Sequence, residues 1–312
     1  MKITAVRATP VLIPLEAPYL WSYGALDAFT KCIVEVETSD GVIGIAEAPS
    51  HGAAPIIARM AEVLLGCDPL DIAGLERRVL PSMPANHSIT DYATRSVWGG
   101  IEIALWDLRG KLWGQPVANL LGAIHRDRIP FTDYFSYRLP QDGMGGEASV
   151  QDVVAYCLGL KRDHGTTYFE GKVSDPDLRQ NILLVQALRD ALGPDVMLRI
   201  DSNLAFSLPS CLYLAPAFAG LETAAYLHAC AAHPHIREPN QSRLRQQPHD
   251  VIAEGPFSPK DNHIALPKGP GLGVKLDYDR IAICARLLQD RGVPNKYHDP
   301  IAPGRMRRMP LV

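Results

Sequence analysis

A lysine closes one strand-like run, Phe169-Glu170-Gly171-Lys172, and an aspartate closes the next, Arg199-Ile200-Asp201, with Ser202-Asn203 directly after it. The amphipathic stretch 177–192 lies between them, and Gly193-Pro194-Asp195 turns the chain back. Strand, helix and strand in this order make a right-handed parallel crossover. Parallel strands run the same way, so Lys172 and Asp201 emerge together at the C-terminal edge of the sheet. In α/β barrels that edge carries the chemistry. A lysine there is a credible proton abstractor, and Asp-x-Asn offers hard oxygen donors for Mg²⁺.

The chain before this unit reads differently. Residues 2–14 have a strand pattern, Lys31-Cys32-Ile33-Val34-Glu35-Val36-Glu37-Thr38 alternates strictly, and Ser39-Asp40-Gly41 makes a hairpin turn into 42–48. Residues 53–66 and 70–79 have helical periodicity, with Pro69 suited to a first turn. A long helix over 91–113 carries Trp98, Ile101, Leu105 and Leu108 and stops at Gly114-Gln115-Pro116. A short helix follows to Leu121-Gly122. From about Pro130, strands at 131–137, 167–172 and 196–201 alternate with helices at 150–164 and 177–192. The alternation then fails. Residues 208–218 are broken by Pro209 and Pro216, 221–232 read as an Ala-rich helix, and the Pro- and Gly-rich remainder holds one more helix at about 279–291.

The 312 residues are 47% hydrophobic and 21% charged, enough for two domains with sizeable cores. A net charge of −3 gives no broad pull toward nucleic acid or an anionic membrane. The basic run Arg305-Met306-Arg307-Arg308 reads as a solvated tail. Six cysteines without a CxxC pair read as free thiols in a reducing cytoplasm. Met-Lys-Ile-Thr enters a strand pattern at once, with no leader to read, and no apolar run reaches the ~18 residues of a membrane span.

Ala104-Leu105-Trp106-Asp107-Leu108-Arg109-Gly110-Lys111, then Gly114-Gln115-Pro116 and Leu120-Leu121-Gly122, resemble the signature that ends the capping domain in the mandelate racemase/muconate-lactonizing branch of the enolase superfamily. The lysine-bearing strand and the Asp-x-Asn strand follow in that family's order. Asp250-Val251-Ile252 and Gly269-Pro270-Gly271-Leu272-Gly273-Val274 resemble its return to the capping domain. Within the branch, the segments look most like acid-sugar dehydratases of the glucarate dehydratase type.

The resemblance implies an α+β capping domain over 1–125, an α/β (TIM-type) barrel domain over 126–260 and a C-terminal segment, 261–312, that returns to the cap. It implies Mg²⁺-assisted α-proton abstraction from an acid sugar or other small carboxylate, with loss of water. Lys172 matches the second lysine of the family's Lys-x-Lys strand and is the expected base. Glu170 replaces the first lysine, which removes a positive charge beside Lys172 and leaves a carboxylate able to pair with it, and counts among the substrate or outer contacts. Asp201 matches the first metal ligand, and Asn203 a substrate or outer contact. Trp21 and Tyr23, beside Tyr19, lie in a capping loop that sets specificity, and His51 lies in the second loop that shapes the pocket.

Between Asn203 and Glu222 there is no Asp or Glu to serve as a further metal ligand. A full barrel takes roughly 200 residues or more. The expectation is therefore an incomplete barrel with an internal deletion, weak Mg²⁺ binding, and open strand edges covered by a second copy in a homo-oligomer. Two other functions stay open: a catalytically inactive remnant acting in assembly or binding, and a racemase or cycloisomerase of the same superfamily.

Overall fold

The structure is a computed structural model that describes residues 1–80, 89–175, 177–203, 244–246, 249–255 and 257–294. The chain begins with an antiparallel sheet of β1 (Ile3–Trp21), β2 (Gly24–Thr38) and β3 (Ile43–Ala48). Alternation along β2 divides its side chains between two faces. Cys32, Val34 and Val36 pack against helices α1 (Ala54–Leu64), α2 (Ile72–Val79) and α3 (Ile89–Trp113), where Ile57, Leu64, Leu75, Ile101 and Leu105 complete a core. Each such side chain contributes about 1.5–3 kcal/mol by leaving water. Pro69 does not open α2. The helix starts at Ile72 because the Asp71 carboxylate accepts the Gly74 N–H at 2.9 Å and caps it.

Past the short helix α4 (Val117–Leu120), the strand expected over 131–137 is confined to residues 133–135, and a separate strand precedes it. β4 (Arg128–Pro130) pairs with β8 (His263–Ala265) in one small sheet, and β5 (Asp133–Phe135) opens another. The second sheet is parallel, in the order β5, β6 (Tyr168–Lys172), β7 (Met197–Asp201). Helices α5 (Val150–His164) and α6 (Leu178–Leu192) supply the crossovers. Val153, Cys157, Leu184 and Leu188 seal the sheet against Phe135 and Phe169. α5 opens with a reciprocal Ser149–Asp152 capping box and closes on Gly165 in the left-handed region.

The C-terminal segment returns to the cap. Residues 251–253 pair with 275–277 through Ala253 N–H to Lys275 O at 2.9 Å and Asp277 N–H to Val251 O at 2.8 Å. Helix α7 (Tyr278–Arg291) then lays Ile281 and Cys284 on Val11, Ile13 and Ile33, the other face of the capping sheet. The joint is fixed by Asp107 of α3, which is fully buried. Its Oδ2 accepts the Ile45 N–H at 2.8 Å and pairs with Lys111 Nζ at 2.6 Å, while its Oδ1 accepts the Leu272 N–H at 2.8 Å. Gly271 lies against it with φ +70°, and a Cβ there would overlap Asp107 Oδ1.

One edge of the parallel sheet is covered by the chain itself. The Gln246 side-chain amide donates to Tyr134 O of β5 at 3.2 Å, and the segment leaving β5 pairs with β1. The stretch 204–243, where the sequence suggests a deletion and an Ala-rich helix, lies outside the described residues, as do Glu222, the nearby histidines His228, His233 and His235, and the basic tail.

Candidate active-site edge of the parallel sheet

The parallel register decides which charged groups meet. Glu170 stands beside Arg199, and Lys172 beside Asp201, in successive cross-strand pairs of β6 and β7. Side chains two residues apart on a strand share a face, so all four lie on one side of the sheet. Lys172 Nζ bonds Asp201 Oδ2 at the C-terminal edge. One row below, Arg199 donates to Glu170 at 3.0 Å. The register gives Glu170 a hydrogen-bonded cation on the neighbouring strand, and Lys172 acts on it through space. Burial pushes the Glu170 carboxyl above the usual range, against the opposing pull of Arg199.

Asn203 follows Asp201 with φ +48°, a left-handed conformation that asparagine tolerates. Its backbone N–H donates to Asp201 Oδ1 at 2.9 Å, and its Nδ2 lies 3.4 Å from Oδ2. Its Oδ1 is buried and has no hydrogen-bond partner among the described residues. Ser136 shares this property. It comes one residue after the Phe135–Gly171 pair, level with Lys172, and its Oγ is buried and unpartnered among the described residues. Sequence reasoning missed Ser136. Its only signal was its place directly after the first parallel strand, which a serine can occupy for many reasons.

The capping hairpin reaches this edge. Ser22 and Tyr23 make the two-residue turn between β1 and β2, and Ser22 Oγ donates to Asn203 O at 3.3 Å. The Trp21 and Tyr23 rings meet edge-on at 4.9 Å between centroids. His51 starts a single 3₁₀ turn after β3, and its Nδ1 is 3.1 Å from Thr30 Oγ1.

The donor chemistry here suits a hard cation in kind, with the Asp201 carboxylate and the otherwise unpartnered Asn203 Oδ1 side by side. The number of donors is small. No group of three His, Cys, Asp or Glu that could hold a metal occurs among the described residues. Asp201 also already faces the Lys172 ammonium.

Residues 3–122 match the family model of the mandelate racemase/muconate lactonizing enzyme N-terminal domain, and residues 209–280 match that of the enolase C-terminal domain-like family. A probable glucarate dehydratase of Streptomyces coelicolor is 31% identical over 242 residues, covering 69% of this chain and 55% of that protein. An N-succinyl-L-Arg/Lys racemase of Bacillus cereus is 27% identical over 213 residues, covering 65% and 52%. The chain spans about half the length of these curated relatives. An enolase from Pseudomonas fluorescens Pf0-1, solved with bound magnesium, potassium and tartrate, superposes with TM-score 0.80 at 20% identity, covering 94% of each chain. That likeness shows the fold, a capping domain on a TIM-type barrel. No described helix is long and apolar enough to cross a membrane.

Proposed function

Because the chain belongs to the mandelate racemase/muconate-lactonizing branch of the enolase superfamily, we propose that it acts on a small carboxylate as an acid-sugar dehydratase, with Lys172 as the base. The observation that carries this reading is the edge row itself. Lys172 and Asp201 oppose one another, and two buried oxygens without a hydrogen-bond partner among the described residues, Ser136 Oγ and Asn203 Oδ1, flank them.

Lys172 Nζ would take the proton from the carbon next to the substrate carboxylate, and the electron pair would pass into the carboxyl group. Loss of the neighbouring hydroxyl as water then needs one proton returned, which the Lys172 ammonium can give. Proton abstraction needs the neutral amine, whereas the bond to Asp201 holds the proton on Nζ. The pair must therefore part before chemistry begins. Ser136 Oγ and the Asn203 amide would take substrate oxygens that leave water on binding. The Arg199–Glu170 pair leaves no net charge in the row beneath. A magnesium ion held by Asp201 and Asn203 would supply positive charge for the substrate carboxylate, bound more weakly than millimolar because one carboxylate is a poor site.

Solvent deuterium exchange at the substrate α-carbon tests this with a panel of acid sugars and Mg²⁺. Exchange is expected in the wild type and should fall by roughly 10²–10⁴-fold in Lys172→Ala, the usual contribution of a positioned base. Exchange that persists in the variant would assign the base elsewhere. Exchange without loss of water would select a racemase or cycloisomerase. The same ion pair supports a second reading, since an ammonium held by Asp201 suits carboxylate binding without turnover. Calorimetric binding of an acid sugar with no exchange would select that reading. A micromolar Mg²⁺ site abolished by Asp201→Ala would overturn the weak-metal reading.

A further inference from the structure

We infer that Arg138 is a positioning residue that docks the capping hairpin on the segment leaving β5, so that the base of its tip at residues 21–23 is a preformed wall beside the site edge. Three sets of contacts converge on it. The first is backbone pairing. Leu20 N–H donates to Tyr137 O at 2.8 Å, Leu139 N–H donates to Pro18 O at 2.8 Å, and Tyr19 and Arg138 form an antiparallel bridge between these bonds. The end of β1 is thus annealed to the segment that leaves β5.

The second set is ionic. Arg138 is buried, and its fork donates to both oxygens of Glu147 at 2.7 Å. Its remaining nitrogen bonds Glu16 of β1. The guanidinium also lies over the Tyr156 ring of α5, 4.4 Å from its centroid. One side chain therefore ties the hairpin to the sheet's first loop and first helix. A guanidinium can do this because it presents several donors in a fixed plane, and a lysine cannot hold both carboxylates in that geometry.

The third set is steric. Gly145 has φ +72°, and a Cβ there would lie 2.5 Å from the Ala17 Cβ, so the loop closes tightly under β1. The Gln141 side chain also donates to Leu15 O at 3.3 Å. The segment that receives the hairpin starts at Ser136, two residues before Arg138. The wall and the site row are thus one continuous piece of backbone. The bearing of this wall on turnover rests on the function proposed above, but its docking does not.

Amide hydrogen exchange on the full chain without substrate is the test, so its outcome is independent of whether any acid sugar reacts. In the wild type, the Leu20 and Leu139 amides are expected to be as protected as those of β6. Glu16→Gln removes the one ionic contact from hairpin to Arg138 and leaves the Glu147 fork in place. The glutamine oxygen can still accept from Arg138, so only the charge is lost, and exchange at Leu20 and Leu139 should speed by roughly three- to tenfold, with β6 unchanged. The inference fails if the wild-type amides at 20 and 139 exchange as in an open chain. It fails equally if Glu16→Gln leaves them protected, or if it speeds β6 just as much, which would make the contact a general support of the fold.

Discussion

Asp107 and Asp201 are two inward-facing aspartates with opposite surroundings. Asp107 is sealed between α3, β3 and the C-terminal loop, and both of its oxygens receive protein donors, two of them backbone N–H groups. Asp201 keeps 18% of its side chain exposed and stands beside two buried oxygens that have no partner among the described residues. A fold closes its polar accounts wherever it can, because a buried polar group without a partner costs about 1–3 kcal/mol. Closure at Asp107 marks a joint. Among the described residues, the row around Asp201 is left open. The conspicuous family signature holds the first aspartate, and its buried carboxylate serves the architecture.

The largest effect should come from breaking the joint. Asp107→Ala leaves the Ile45 and Leu272 N–H groups without acceptors and Lys111 without its carboxylate. The expected loss is roughly 3–6 kcal/mol from two unsatisfied donors and a broken charge pair. Urea denaturation measures it, and α7 should detach before the parallel sheet melts. A loss below about 1 kcal/mol would mean that the joint is not what ties the C-terminal segment to the cap. Gly271→Ala sharpens the same point from the other side. It places an L-residue in the left-handed region, about 1–2 kcal/mol, and drives a methyl into Asp107, about 1–3 kcal/mol more. A thermal midpoint unmoved by this change would show that loop and helix are not in contact.

The parts of this molecule legible in the sequence are those set by local period. Strict alternation gave the second half of β2, 31–38, and its turn into β3, and the 3.6-residue period gave α3, α5 and α6 to within a few residues; the stretch around Trp21 and Tyr23, expected as a loop, is instead the end of a hairpin, with β1 running to Trp21 and β2 starting at Gly24. The meeting of Lys172 with Asp201 was legible too, because two parallel strands ending in those residues have one common edge. What escaped depends on register and tertiary approach. Glu170 finds Arg199 only once the strands are aligned, and no spacing along the chain encodes that. The strand read over 131–137 is shorter than its pattern, because the Phe131 N–H donates to Asn262 O, more than a hundred residues away, before β5 begins. The neighbours of Arg138 come from β1, α5 and the loop between, so nothing around it in sequence distinguishes it from a surface arginine.

Ser136 offers the smallest stability effect and the sharpest discrimination between the two regions. If its hydroxyl is truly without a protein partner, Ser136→Ala removes a buried polar atom and leaves no other group stranded. Stability should then stay within about 1 kcal/mol of the wild type or rise slightly, in contrast to Asp107→Ala. Substrate should feel the loss, with α-carbon exchange falling roughly tenfold, the size of one hydrogen bond of about 1.4 kcal/mol. Paired denaturation and exchange measurements on this variant test both halves. A destabilisation above about 2 kcal/mol would show that Ser136 is bonded within the fold, and the edge row would then be as closed as the joint at Asp107. Unchanged stability with unchanged exchange would leave the hydroxyl without a role toward substrate and move the search for binding groups to Asn203 and the hairpin tip.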